Sequence, residues 1–249
     1  MQLSNFSSVG IAQLARAGSV GVIVPLGATE QHGPHLPLDV DSAIAAAVAS
    51  AVAGRLSASG HDCVVAPVLP FGDSAHHESF AGSVSLRRGV LVALLHDVCK
   101  SFLGTSFSWV ALITGHAGNC WAMKEVAAEY SDGRVIAVDD WPAMRAAIHD
   151  VSRSELGLDP EYVGTHAGHF ETSIMLRLRP ESVDMNAAEC GTIGDPNILG
   201  TRLRSEGMNT VSPNGVIGDP TRATAEAGEK YLEALISYNT TTIRTRLAA

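Results

Sequence analysis

Cysteine is scarce and scattered: Cys63, Cys99, Cys120 and Cys190 are the four in 249 residues, and no two form a CxxC pair. That spacing argues against a zinc ribbon and a disulfide framework and fits a reducing cytoplasm. Charge is thin at 17% of residues, with 17 Lys plus Arg against 26 Asp plus Glu and a formal net charge of -9. No basic cluster offers a track for phosphates, so no nucleic-acid partner is expected. The motifs GxGxxG, GxxxxGK[ST] and GxSxG are absent, which leaves little support for a dinucleotide cradle, a P-loop or a serine nucleophile. No basic segment precedes an apolar block at the N-terminus, and no apolar run reaches the roughly 20 residues that cross a bilayer. No membrane partner is expected.

What is present is apolar material, 46% of the chain, enough for a sizeable core. The length fits a single domain over residues 1–249 better than two. Apolar runs alternate with amphipathic stretches, the pattern of helices covering a largely parallel sheet and hence of an α/β fold. Strands are expected at Val20 to Leu26, Cys63 to Leu69, Ser108 to Thr114 and Arg134 to Val138, and helices at Asp41 to Leu56, Arg88 to Leu103 and Asn119 to Tyr130. Glu171 to Leu178 is an apolar segment entered from a His-rich loop. A long last helix is expected to start at Asp219-Pro220 and end near Thr241. The stretch Asp184 to Gly215 reads as a surface excursion.

Seven of the ten histidines, His32, His35, His76, His77, His116, His166 and His169, fall in four short Gly-containing loops. In an open α/β sheet such loops meet beyond the strand carboxyl ends, where ligands bind. The first loop, Gly27 to Asp41, brings Glu30, His32 and Asp41 together directly after a strand. In an extended Glu30-Gln31-His32 segment the outer two side chains point the same way, so each could serve one of two adjacent ions with Asp41 between them. Asp41 has a plain structural use as well, as a helix cap. The second loop carries His116. The third carries His166, His169 and Glu171, the last a ligand or a capping glutamate. The loop from Gly72 to Ser83, with Ser74 and His77, is a candidate pocket wall. His61, His96 and His149 stand outside any motif, and Trp109, Trp121 and Trp141 read as core or wall residues.

Five stretches carry a family resemblance: PLGATEQHGPHLPLDVD at Pro25 to Asp41, HESFAGSVSL at His77 to Leu86, TGHAGN at Thr114 to Asn119, HAGHFETSIML at His166 to Leu176 and GVIGDPTRAT at Gly215 to Thr224. In this order they make the sequence resemble the creatininase (creatinine amidohydrolase) family, with SFAGS and HAGHFETS most similar to its mycofactocin-peptidase branch. The resemblance implies a three-layer αβα sandwich with a mostly parallel sheet, a homohexamer, and a site for one or two divalent ions of zinc, manganese or iron. By motif position it implies Glu30, His32, Asp41 and His116 as metal ligands and His166 as a proton shuttle. Creatininases place a glutamate where this chain has Gly118, so Glu171 is expected to replace it as ligand and catalytic carboxylate. Some relatives have an aspartate where this chain has Gly164, a departure that speaks against creatinine as the substrate.

The expected function is hydrolysis of a C–N amide bond in a cyclic amide, formamide or short peptide by a metal-bound hydroxide. Ser74, His77 and His169 are expected on the substrate side. Metal lowers the pKa of water from 15.7 to about 7, and His166, with an ordinary pKa near 6.5, would protonate the leaving nitrogen. Two divalent ions would balance three carboxylates and a hydroxide, giving a neutral cluster that a semi-enclosed pocket tolerates. The alternatives are a metal-dependent isomerase or lyase of a small carbonyl compound, or an inactive metal-binding homologue.

Overall fold

A computed structural model describes residues 1–248. The apolar runs form four parallel strands, β1 (Gly21–Leu26), β2 (Cys63–Val65), β3 (Trp109–Thr114) and β4 (Val135–Ala137), in the order β2-β1-β3-β4. The helices are α1 (Ser8–Ala17), α2 (Val40–Ala58), α3 (Arg88–Leu103), α4 (Cys120–Ala128), α5 (Trp141–Glu155), α6 (Pro160–Val163), α7 (His169–Leu178), α8 (Pro196–Glu206), α9 (Met208–Val211) and α10 (Ala225–Leu247). Strand alternation divides the core. Ile23 packs on one face of the sheet with side chains of α2, α5, α7 and α10, whereas Val22, Val24 and Leu26 pack on the other with α1, α3 and α4. Helices on both faces make three layers, and strands buried on both sides read as continuous apolar runs.

Several boundaries differ from the sequence reading, each for a local reason. β2 stops at Val65 instead of Leu69, because Pro67 has no N–H to continue the ladder. Pro25 is tolerated in the central strand because its carbonyl accepts from Leu69 beyond the end of β2, so its missing donor faces a gap in the ladder. The last helix begins at Ala225, where the Thr224 hydroxyl accepts from the Ala227 amide. Asp219 instead closes a turn by accepting from Thr221. The earlier copy of the same tetrapeptide does start a helix: Asp195 caps α8 with Pro196 in its first turn. The expected surface excursion therefore contains α8 and α9. α2 is long and apolar enough to cross a membrane by length and composition, with a mean hydropathy of 1.3. Ten of its residues are nevertheless buried in the core.

Glycines let the start of α2 sit hard against the strand ends. A Cβ on Gly115 would lie 2.3 Å from the Asp41 carbonyl oxygen, and one on Gly27 would lie 2.5 Å from the Ser42 Cα. Gly54, inside α2, has nothing within 4 Å of such a Cβ. Gly115→Ala is therefore expected to cost about 1–3 kcal/mol through overpacking, whereas Gly54→Ala should stabilise by about 0.5–1 kcal/mol through helix propensity. Thermal and urea denaturation of the two variants checks this, and equal effects would contradict the close approach.

Candidate metal centre

β1 and β3 end side by side, with Leu26 paired to Thr114, so the loops leaving them open onto the same crevice. The β1 loop is closed by the Glu30 amide donating to the Leu38 carbonyl at 3.0 Å. It turns at Gly33, whose φ of 67° lies in the left-handed region. Asp41 follows in the first turn of α2, His116 leaves β3, and Glu171 lies in the first turn of α7. Glu30 and His32 are fully buried, and Asp41, His116, His166 and Glu171 nearly so.

The carboxylates face imidazole nitrogens across gaps slightly longer than hydrogen bonds. Glu30 Oε1 lies 3.3 Å from His116 Nδ1, 3.2 Å from His77 Nε2 and 3.7 Å from His166 Nδ1. Asp41 reaches both ways, with Oδ2 3.4 Å from His116 Nδ1 and Oδ1 3.4 Å from His32 Nε2. Glu171 Oε2 lies 3.7 Å from the same His32 nitrogen. Both Glu30 oxygens, His32 Nε2 and Asp41 Oδ2 are buried without a hydrogen-bond partner. Unsatisfied polar atoms at that depth are costly, and a cation among them would satisfy all four.

The outward nitrogens explain which way each ring points. His32 Nδ1 donates to the Glu30 carbonyl at 3.1 Å, His116 Nε2 to the Asp73 carbonyl at 2.8 Å and His166 Nε2 to the Gln31 carbonyl at 2.8 Å. For His32 and His116 the backbone acceptor fixes a tautomer whose inward nitrogen can carry a lone pair toward the carboxylates, as in the outer shell of a metal site, whereas His166 Nε2 also lies 3.0 Å from the Gln31 side-chain amide nitrogen. His77 is held the opposite way. The Gln31 amide donates to its Nδ1 at 2.9 Å, leaving the proton on the nitrogen that faces Glu30. Three groups have ligand atoms close enough to share an ion: Glu30 with His76 and His116, Glu30 with His32 and His166, and His32 with Asp41 and Glu171.

Burial pulls the His32 ring down, but the Asp41, Glu171 and Glu30 carboxylates outweigh it and raise its pKa to about 10. His116 is raised in the same way, burial being opposed by Glu30 and Asp41. Burial pushes Glu171 up to about 7 against the attraction of His32. His166 falls well below 6.5 through burial and the neighbouring His32 charge, so it is neutral where the sequence suggested an ordinary imidazole.

A carboxylate cannot sit at position 118, since a Cβ on Gly118 would lie 2.2 Å from the Asp73 carbonyl oxygen and 2.4 Å from His116 Nε2. Glu171 approaches from α7 instead, its Oε2 accepting from the Ala167 amide at 2.6 Å. Ala167 is held at a φ of 51°, the one non-glycine residue in the left-handed region among the described residues.

Of the residues expected on the substrate side, Ser74 and His77 are buried, His77 with Nε2 3.2 Å from Glu30 Oε1, and His169 packs between Tyr162 and Tyr231, with Nδ1 3.2 Å from the Tyr231 hydroxyl. A cavity of about 400 Å³ is lined by their neighbours Asp73, Ala75 and His76, together with Gly118. His76 and Gln31 carry roles that the sequence reading did not assign. Consecutive residues in a tight turn point in different directions, so only one of His76 and His77 can face the cavity.

The chain matches a protein-family model described as creatinine amidohydrolase over residues 5–243. It is 38% identical over 218 residues to a mycofactocin precursor peptide peptidase of Mycolicibacterium smegmatis, covering 87% of this chain and 81% of that one. A creatinine amidohydrolase of Pseudomonas putida is 30% identical over 187 residues, covering 68% of each chain. Two solved creatininases, one a mutant of Zn-Zn type and one described as Mn, superpose with a TM-score of 0.73 at 23% identity. They cover 98% of this chain and 96% and 97% of their own.

The charge pattern sets a pH dependence. His32 is raised in the folded chain, so its contribution to the metal-free protein is complete below pH 6.5 and is lost as pH rises toward about 10. A cation must displace that proton, the one on His116 and a share of the one on Glu171. Zinc or manganese binding at pH 7 should therefore release about two to three protons, and apparent affinity should climb from pH 6 to about 9. Calorimetry in buffers of different ionisation heat counts the protons, and pH-independent binding without release would contradict the assignment.

Proposed function

The chain belongs to the creatininase family of metal-dependent amidohydrolases, and from that premise we propose that it hydrolyses an amide bond in a short peptide. The observation that carries this reading is the buried set of unpartnered carboxylate and imidazole atoms at the ends of β1 and β3. Its closer likeness to the peptide peptidase of M. smegmatis than to the creatinine amidohydrolase of P. putida supports a peptide over a cyclic amide. The absence of a carboxylate at Gly164 supports the same choice.

Glu30, Asp41 and His116 would hold one ion, and His32, Asp41 and Glu171 a second. Zinc or manganese suits these mixed nitrogen and oxygen donors, and those are the metals that the two solved creatininases carry. When bound, such ions supply Lewis acidity toward a carbonyl and lower the pKa of water. The chain's own part is to position and move a proton. His166, held neutral by burial and anchored through Nε2 at Gln31, presents Nδ1 toward Glu30. A neutral ring can take a proton from the attacking water as the new C–O bond forms. It then returns the proton to the nitrogen as the C–N bond breaks, leaving a carboxylic acid and an amine. That order replaces a donor charged from the outset. A homohexameric, cytoplasmic enzyme completes the proposal.

His166→Ala should lower kcat by about 10²–10⁴-fold with bound metal retained; parallel loss of metal would make His166 a ligand. Mass spectrometry of products from the metal-loaded protein on short peptides should show the gain of one water. An unchanged mass would favour an isomerase, and no turnover on peptides, formamides or cyclic amides would overturn the proposal.

A further inference from the structure

The cavity of about 400 Å³ beside the metal centre is lined by Arg88, Arg145 and Arg204, which come from α3, α5 and α8. None of the three has a carboxylate partner among the described residues, whereas Arg55, Arg177, Arg179 and Arg202 are each paired with one. In a chain of net charge -9, unpaired guanidinium groups gathered around one cavity stand out. The same cavity touches His76 and Gly118, so whatever occupies it lies against the centre.

Arg88 and Arg204 are exposed at the cavity, and Arg145 is half-buried. The Arg88 guanidinium stacks 3.8 Å above the Trp121 ring, an arrangement that fixes its plane and leaves its N–H edge open. Arg145 donates only to the neutral Asn197 side chain. Burial lowers its pKa, Asp195 opposes that shift and Arg204, which lines the same cavity, adds to it. The one carboxylate in the lining, Asp73, accepts from the Trp121 indole at 3.0 Å. Trp121, Trp141 and Leu203 form the apolar part of the wall.

We infer that this cavity is an anion subsite, in which Arg88, Arg145 and Arg204 receive a carboxylate of the substrate while its amide lies at the metal centre. The inference rests on the hydrolase reading for the position of the amide. Guanidinium forks match the two oxygens of a carboxylate. The apolar wall suits a singly charged group carried on an organic scaffold, since a doubly charged phosphate loses more hydration on entry. In a peptide, the carboxylate is a free C-terminus or an acidic side chain.

The test is calorimetric titration of the metal-loaded protein with acetyl-Gly-Gly-Phe, its C-terminal amide and acetyl-Gly-Glu-Phe amide, with hydrolysis of each followed in parallel. The free acid should bind about tenfold or more tightly than the neutral amide, the scale of one charge-assisted hydrogen bond. Recovery of that affinity by the glutamyl amide would assign the subsite to acidic side chains; its absence would assign it to a C-terminus. The ratio of acid to amide should collapse toward one in Arg145→Met and in Arg204→Met, and recover in part in Arg145→Lys. Equal affinities, no binding of any peptide, a ratio unmoved in both Met variants, or tighter binding of a phosphoserine peptide would each overturn the inference. Acid preference without hydrolysis would leave the subsite standing and sink the hydrolase reading. Hydrolysis without acid preference would do the reverse.

Discussion

Three carboxylates, Glu30, Asp41 and Glu171, are buried where the central strands end, Asp41 and Glu171 close enough to share an ion and Glu30 facing the same His116 as Asp41. Like charges confined out of water repel, and burial removes the hydration that would screen them. The metal-free site answers by raising His32 and His116 and by pushing Glu171 toward its protonated form. That response is incomplete, because both Glu30 oxygens and one Asp41 oxygen still lack hydrogen-bond partners. A divalent cation resolves the conflict more fully than protons can, since it supplies charge and fills the inward lone pairs together.

The fold serves this conflict by holding the ligands rigidly. Two adjacent parallel strands aim their loops at one crevice, and close contact at Gly115 and Gly27 fixes the first turn of α2, which carries Asp41. Backbone carbonyls at Glu30 and Asp73 set the tautomers of His32 and His116, and Gln31 anchors His166. Few side chains outside the loops are needed for this, and α3, α5 and α8 are left free to shape the adjoining cavity.

Much of this was legible in the sequence because it is local. Both faces of the strands are buried, so their apolar runs are unbroken, and the alternation of Glu30, Gln31 and His32 puts the outer pair on one side in any extended loop. Set against the creatininase pattern, Gly118 marked a missing carboxylate, and the resemblance made Glu171 the natural candidate to replace it. What stayed hidden depends on tertiary contact. The two IGDP segments are locally alike, yet Asp195 starts a helix and Asp219 closes a turn, so capping chemistry alone does not fix the start of α10. The depressed pKa of His166 follows from burial and from His32, more than 130 positions away in the chain. The convergence of Arg88, Arg145 and Arg204 requires three helices to be docked before any pattern exists.

The most direct measurement is elemental analysis of protein purified without chelators, together with its melting temperature before and after metal removal. The account predicts one to two zinc or manganese ions per chain and a lower melting temperature once they are stripped, restored on adding either ion back. Protein that carries no such ion, takes up none on reconstitution and melts at the same temperature throughout would contradict it.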